Sequence, residues 1–132
     1  MSQKIPEEFQ DIFKKRAFAH LATVMADGSP QVSPVWVDYD GKYLIVNTAR
    51  GRVKDRNMQR EAHVALSMQD PDDPYRYLLV RGKVVAITEE GAEDSIDNLA
   101  VKYTGEKYKW RKPGQVRVIY RIEPERVFTS SR

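Results

Sequence analysis

Hydrophobic positions change period along this chain, and the changes mark its elements. Phe9, Ile12 and Phe13 recur at helical spacing behind Pro6, Glu7 and Glu8. Lys14, Lys15 and Arg16 follow where a helix dipole favours positive charge, so the spacing predicts a short amphipathic helix. Ala17–Met25 is small and apolar, and Asp27-Gly28 is a hairpin signal leading into Gln31–Asp38, where Val32, Val35, Trp36 and Val37 favour extended backbone. A second Asp-Gly, Asp40-Gly41, leads into Tyr43–Val46. Two hairpin signals in succession predict a three-stranded meander.

Arg50–Met58 has no alternation and reads as a short helix entered through Gly51, after which His63–Gln69 resumes as a strand. Two prolines in Asp70–Pro74 remove ladder donors, so that run is expected to be an exposed, solubilising loop. Tyr75–Ile87 reads as a long strand bent or bulged at Gly82. Thr88 is the expected N-cap of a helix that places Ala92, Ile96, Leu99, Ala100 and Tyr103 on one face, with Gly105 just past its end. Glu106–Gly114 is a polar and aromatic connection. Beyond it Val116, Val118, Tyr120 and Ile122 alternate with Arg117, Ile119 and Arg121, the pattern of a strand with one buried face, and a short last strand is expected at Val127 and Phe128. Together these elements suggest one domain over residues 1–132, a mostly antiparallel β-barrel with helices on its outside or across its mouths.

Composition narrows the chemistry. The 132 residues are 41% hydrophobic and 31% charged, as in a packed globular chain, and 22 Lys+Arg against 19 Asp+Glu leave a net charge of only +3. Zero cysteines remove disulfides, thiolate catalysis, iron–sulfur clusters and the usual structural zinc sites. Neither a signal-peptide core nor a membrane-length apolar run occurs, so a soluble cytoplasmic protein without membrane partners is expected.

The densest charge lies where a strand gives way to a helix: Arg50, Arg52, Lys54, Arg56 and Arg60 against the single acid Asp55. Free backbone N–H groups and the positive end of the helix dipole meet there, and Arg or Lys can clamp phosphate oxygens, so a phosphorylated cofactor would suit it. A solvated helix face is the alternative. His20 and His63 have no partner at ligand spacing, and GxSxG, Walker A, HExxH and GxGxxG are all absent, which leaves an organic cofactor to carry any chemistry. Trp110 with Tyr103, Tyr108, Lys107, Lys109, Arg111 and Lys112 mixes aromatics and cations; it could stack on conjugated rings or simply close the barrel's end.

The string Ala-His-Leu-Ala-Thr-Val, Asp-Gly-Ser-Pro-Gln-Val-Ser-Pro-Val-Trp-Val, Asp-Gly-Lys-Tyr-Leu-Ile-Val-Asn-Thr, Arg-Gly-Arg-Val-Lys-Asp-Arg-Asn-Met resembles the pyridoxamine-phosphate-oxidase-like split β-barrel superfamily of flavin and deazaflavin binders. More narrowly it is similar to the small members that use coenzyme F(420) in place of FMN. The likeness runs from about Phe18 to Ile87 and more weakly onward. It implies an antiparallel split barrel of the FMN-binding type, paired as a homodimer with the cofactor at the interface. Carried onto this chain, Arg52, Lys54 and Arg56 face the phosphate, with Asn57 beside them. Ser33, Pro34, Val35 and Trp36 line the ring system, Asn47 and Thr48 approach its pyrimidine edge, and Tyr77 and Leu79 complete the pocket from the partner chain. A C-terminal Trp and Arg segment found in true pyridoxamine phosphate oxidases has no evident counterpart, so vitamin B6 oxidation is not expected. Lys107–Lys112 could instead meet the anionic polyglutamate tail of F(420).

The leading expectation is an F(420)-dependent oxidoreductase acting on a conjugated small-molecule substrate, with FMN as the alternative cofactor and no nucleophile or proton donor assignable. A non-catalytic carrier of flavin, F(420) or haem is a second reading. A basic RNA-binding barrel is the third and weakest, because +3 is little charge for a nucleic-acid partner.

Overall fold

Alternating apolar positions assemble into one seven-stranded antiparallel sheet in the computed structural model, which describes residues 2–130. The strands are β1 (Ala19–Val24), β2 (Pro30–Val35), β3 (Asp38–Tyr39), β4 (Leu44–Ala49), β5 (His63–Asp70), β6 (Asp73–Thr88) and β7 (Arg117–Thr129), in the order β2-β1-β5-β6-β7-β4-β3. Two helices, α1 (Val53–Arg60) and α2 (Ala92–Thr104), and an N-terminal 3-10 helix (Glu7–Lys14) complete the chain. The sheet curls into a split barrel. Leu21, Val46, Leu66, Leu78, Val118, Tyr120 and Ile122 project inward to meet Phe9, Ile12 and Phe13 of the 3-10 helix and Met58 of α1. That helix keeps the expected apolar face although its turns are tighter than an α-helix.

Both Asp-Gly turns form hairpins, but the three-stranded meander does not exist. β2 pairs with β1, β4 pairs with β3 and β7, and β2 and β3 lie at opposite edges of the sheet. The strand expected over Gln31–Asp38 breaks at Trp36-Val37, because α2 takes over the backbone of Val37. Its N–H donates to the Tyr103 hydroxyl (3.3 Å) and its carbonyl accepts from Lys102 Nζ (2.5 Å). Thr88 ends β6 and does not cap α2; Gly91 occupies that position. Gly105 closes α2 as expected.

β7 runs unbroken through Val127 and Phe128, so the separate last strand is its continuation, and Val116 lies outside it and exposed. Arg117–Tyr120 are buried on both faces of the sheet, not one. Val118 and Tyr120 point into the barrel core. The alternate residues Arg117 and Ile119 lie on the face covered by α2, where Asn47, in register with Ile119, donates to the Ala92 carbonyl (2.8 Å). At Gly82 the expected bulge is present, and a Cβ there would sit 2.7 Å from Ile122 Cγ2 and 2.8 Å from the Glu123 carbonyl. The close approach of β7 therefore requires glycine.

The expected loop Asp70–Pro74 shrinks to a turn at Pro71-Asp72, and Asp70 is buried rather than solvated. Its carboxylate accepts from Lys15 Nζ (2.9 Å), Arg76 Nη1 (2.9 Å) and the Asp72 amide (2.9 Å), while Arg76 also reaches Asp11 (2.6 Å). The 3-10 helix is thus tied to the β5–β6 hairpin. Burial works against the Asp70 charge, but the Asp72 amide, Lys15 and Arg76 outweigh it and hold the pKa at about 2. A carboxyl depressed below its unfolded value of 3.8 contributes stability above pH 3.8 that is lost as pH falls toward about 2. Asp70→Asn is expected to lower unfolding free energy by on the order of 2 kcal/mol at pH 7, with the deficit shrinking below pH 3.8 in urea titrations. A deficit that stays constant down to pH 2 contradicts this account.

Candidate cofactor-binding cleft

Chain direction reverses where β4 ends. Gly51, at φ 89°, makes the turn in the left-handed region that favours glycine and delivers the chain into α1 through Arg52. The turn is fixed by Asp55, whose carboxylate accepts from the Gly51 amide (2.9 Å), Arg50 Nη1 (3.1 Å) and the hydroxyl of Tyr120 (2.5 Å), a side chain fully buried on β7. Burial raises the Asp55 pKa, but Tyr120, the Gly51 amide, Gln59 and Arg50 outweigh it and hold the carboxyl below its ordinary range. Asp55 is therefore the anchor of α1, a role its place in a basic run did not reveal.

Once the turn is held, the first amides of α1 have no intrahelical acceptor, and no side chain caps them. Arg52 is exposed beside them and Lys54 is half-buried. From β7, Arg117 arrives almost fully buried, with Nε donating to Asn47 Oδ1 (2.9 Å), its guanidinium 5.1 Å from the centre of the Tyr108 ring, and Nη1 without a hydrogen-bond partner. Among the described residues, none of Arg52, Lys54 and Arg117 makes an ion pair with a carboxylate. Glu93, whose charge favours the Arg117 cation, is itself taken by Arg111 (2.8 Å). Burial, then the charges of Arg52 and Arg117, push the Lys54 pKa down, and burial does the same to Arg117. An anion placed here would relieve both.

These groups surround a cleft of about 190 Å³ lined by Phe18, Pro34, Val35, Trp36, Asn47, Arg52, Lys54, Ile96, Tyr108 and Arg117. Six of the residues singled out from the sequence, Pro34, Val35, Trp36, Asn47, Arg52 and Lys54, converge there. The other six do not line it. Ser33 and Thr48 neighbour Pro34 and Asn47 but point to the opposite side of their strands, where each hydroxyl is buried and unpartnered. Arg56 is exposed farther along α1. Asn57 is buried against β1, donating to Thr23 Oγ1 (3.0 Å) and accepting from Arg60 (2.8 Å), which is a structural tie. Tyr77 and Leu79 lie on the outer face of β6.

The sequence profile of the pyridoxamine 5'-phosphate oxidase family matches residues 5–131, nearly the whole chain. The chain belongs to this family. Among solved structures, an F(420) reductase is 35% identical, with a TM-score of 0.84 over 94% of this chain and 98% of its own. A conserved hypothetical protein from Mycobacterium tuberculosis is 24% identical, with a TM-score of 0.71 over 96% of this chain and 84% of its own. A provisional pyridoxamine 5'-phosphate oxidase from Listeria innocua is 19% identical, with a TM-score of 0.71 over 93% and 95% of the two chains. These last two likenesses speak for the split-barrel fold.

Within this family frame the cleft's mouth is aromatic. Trp36 stacks on Tyr103 (5.4 Å, 8°), Tyr108 meets Trp36 edge-on (6.3 Å, 88°), and Trp110 leans on both, half exposed. The loop carrying Tyr108 and Trp110 is pinned to α2, with the Tyr108 amide donating to Asp97 (3.0 Å) and Arg111 bound to Glu93 and Asp97. No helix among the described residues is long and apolar enough to cross a membrane.

Because the Tyr120 hydroxyl is fully buried and aimed at Asp55, Tyr120→Phe is expected to cost about 1–3 kcal/mol of stability in urea denaturation, the penalty for a buried carboxylate that loses a donor. A change below about 0.5 kcal/mol would show that Asp55 does not anchor α1 through β7.

Proposed function

We propose that this family member is an oxidoreductase that binds coenzyme F(420) and transfers hydride to or from a conjugated organic substrate, with a homodimer as its working form. One observation carries the reading: Arg52 and Lys54 stand unpaired by acids at the uncapped start of α1, opening onto a cleft walled by Trp36 and Tyr108. An anion at one end and a flat ring at the other match that arrangement, and the buried, partnerless Nη1 of Arg117 gives the fit a second polar contact. The 35% identity to a protein named as an F(420) reductase supports the choice of deazaflavin. FMN presents the same pair of groups, and membership of the pyridoxamine 5'-phosphate oxidase family favours it as the second reading.

Bound F(420) supplies a ring carbon that carries hydride. The chain's own part is placement: the amides of α1 with Arg52 and Lys54 hold the phosphate, while Trp36, Val35 and Tyr108 exclude water from one side of the ring. Proton delivery needs no dedicated acid, because solvent reaches the half-exposed mouth.

The surface left uncovered supports dimerisation. In register across five strands run Pro34, His20, Ser67, Leu79 and Phe128, and beside them Val32, Ala22, Ala65, Arg81 and Arg126. Val32, Tyr77, Leu79 and Phe128 are all exposed on this face, and a hollow of about 720 Å³ lies along it. Pro34 belongs to the first row and also lines the cleft, so a second copy covering the face would reach the cleft's rim and bring its own Tyr77 and Leu79.

Two measurements test this. Light scattering at micromolar concentration should give a dimer, and a monomer contradicts the shared-cleft reading. In titrations with F(420) and FMN, Lys54→Glu should weaken binding more than about tenfold, since a charge-assisted hydrogen bond becomes a repulsion. With FMN, which has no polyglutamate tail, Lys112→Glu on the distal loop should change binding by less than about threefold. Equal weakening by both, erased by high salt, would mean that the basic residues act only through long-range attraction.

A further inference from the structure

We propose that Arg117 is a cofactor-binding residue: it is the third cation of the anion site, and its free Nη1 is completed by an anionic oxygen of the bound cofactor. The proposal rests on the cofactor reading above and adds to it a residue from β7, distant in sequence from the basic run of α1.

Three observations carry it. Arg117 is only 4% exposed, yet Nη1 is buried with no acceptor, and among the described residues no carboxylate pairs with the guanidinium. A buried polar group left unmatched opposes folding, and a charged one does so more strongly. Second, the side chain is held in a single pose. Nε is bound to Asn47 Oδ1 (2.9 Å), Asn47 is fixed in turn by donating to the Ala92 carbonyl (2.8 Å), and the Tyr108 ring covers the guanidinium at 5.1 Å. Third, that pose puts Arg117 in the wall of the same cleft as Arg52 and Lys54, two like charges that disfavour one another until an anion arrives.

A purely structural arginine here would be an odd choice. At a site sealed between a sheet and α2, an apolar side chain of similar length packs without desolvating a charge. An unmatched donor kept rigid beside two other cations is instead what an oxyanion site requires, because the geometry is set before the ligand binds. The arrangement also changes the part played by Asn47. Its carbonyl is spent on Arg117 and an amide hydrogen on Ala92, so it orients Arg117, whose Nη1 remains a free donor.

The test pairs affinity with the stability of the unliganded protein. Arg117→Met keeps the length and removes the charge; Arg117→Lys keeps a charge without the fork. Titrations of the full chain with F(420) and FMN should show binding weakened at least about tenfold in Arg117→Met and partly recovered in Arg117→Lys. The melting temperature without ligand should change by less than about 5 °C in Arg117→Met, because the lost bond to Asn47 is offset by removal of a buried, unmatched charge. Affinity within about threefold of the parent chain overturns the proposal, and so does a fall in melting temperature of more than about 5 °C, which would mark Arg117 as structural. If the parent chain binds neither cofactor, the cofactor reading fails by itself. Arg117 is then judged with pyrophosphate, which should raise the melting temperature of the parent chain and not of Arg117→Met; equal shifts, or none in either protein, overturn it.

Discussion

The buried contact between the Asp55 carboxylate and the Tyr120 hydroxyl, 2.5 Å long, joins α1, the shorter of the two described α-helices, to β7, an interior strand of the sheet. The α1 side of the cleft depends on that join. The same carboxylate accepts the Gly51 amide (2.9 Å), reinforcing a turn that the Arg52 amide closes on the Ala49 carbonyl (3.3 Å). Its loss would loosen the direction of the uncapped amides of α1 and of the Arg52 and Lys54 side chains. An eight-residue helix with a strongly polar sequence has little stability of its own, so tertiary anchoring must position it. Aspartate suits the place twice over, as an acid in the first turn of a helix and as an acceptor for three donors.

β7 is where the structural and functional demands meet. On one face Tyr120 and Val118 fill the barrel; on the other Ile119 lies beneath α2 and Arg117 enters the cleft. A strand buried on both faces can present a rigid charge only by burying it, and the unpartnered Nη1 is the visible consequence. The Asp70 network at the other side of the barrel shows the contrasting solution, a buried charge met by Lys15, Arg76 and an amide. One cluster is closed, and serves stability. The other is left open toward the cleft.

Much of this was legible from the residues. The strands, the turn at Gly51, the bulge at Gly82 and the apolar stripe of α2 follow from periodicity and glycine placement, and the basic run was found because it interrupts an apolar pattern. Strand order was not legible. Two Asp-Gly hairpins imply a meander only if their middle strand is shared, and here Val37 is captured by Lys102 and Tyr103 of α2, contacts 65 and 66 residues away in sequence. Arg117 was missed for a related reason. Alternation placed it on the polar face of β7, and only the packing of α2 and Tyr108 against that face turns a polar position into a buried one. Asn57 and Thr48 stand among residues of the right chemistry, but strand and helix periodicity turn them away from the cleft, toward β1 and the opposite side of β4.

Locating the phosphorus atom in a crystal of the protein grown with F(420) tests the central claim most directly, because it asks where the anion sits and not merely whether it binds. The account predicts phosphorus at the start of α1, within about 4 Å of Lys54 Nζ and with an anionic oxygen of the cofactor on Arg117 Nη1. A phosphate seated on Lys107–Lys112 or along the outer face of β6, with Arg117 still unpartnered, would contradict it.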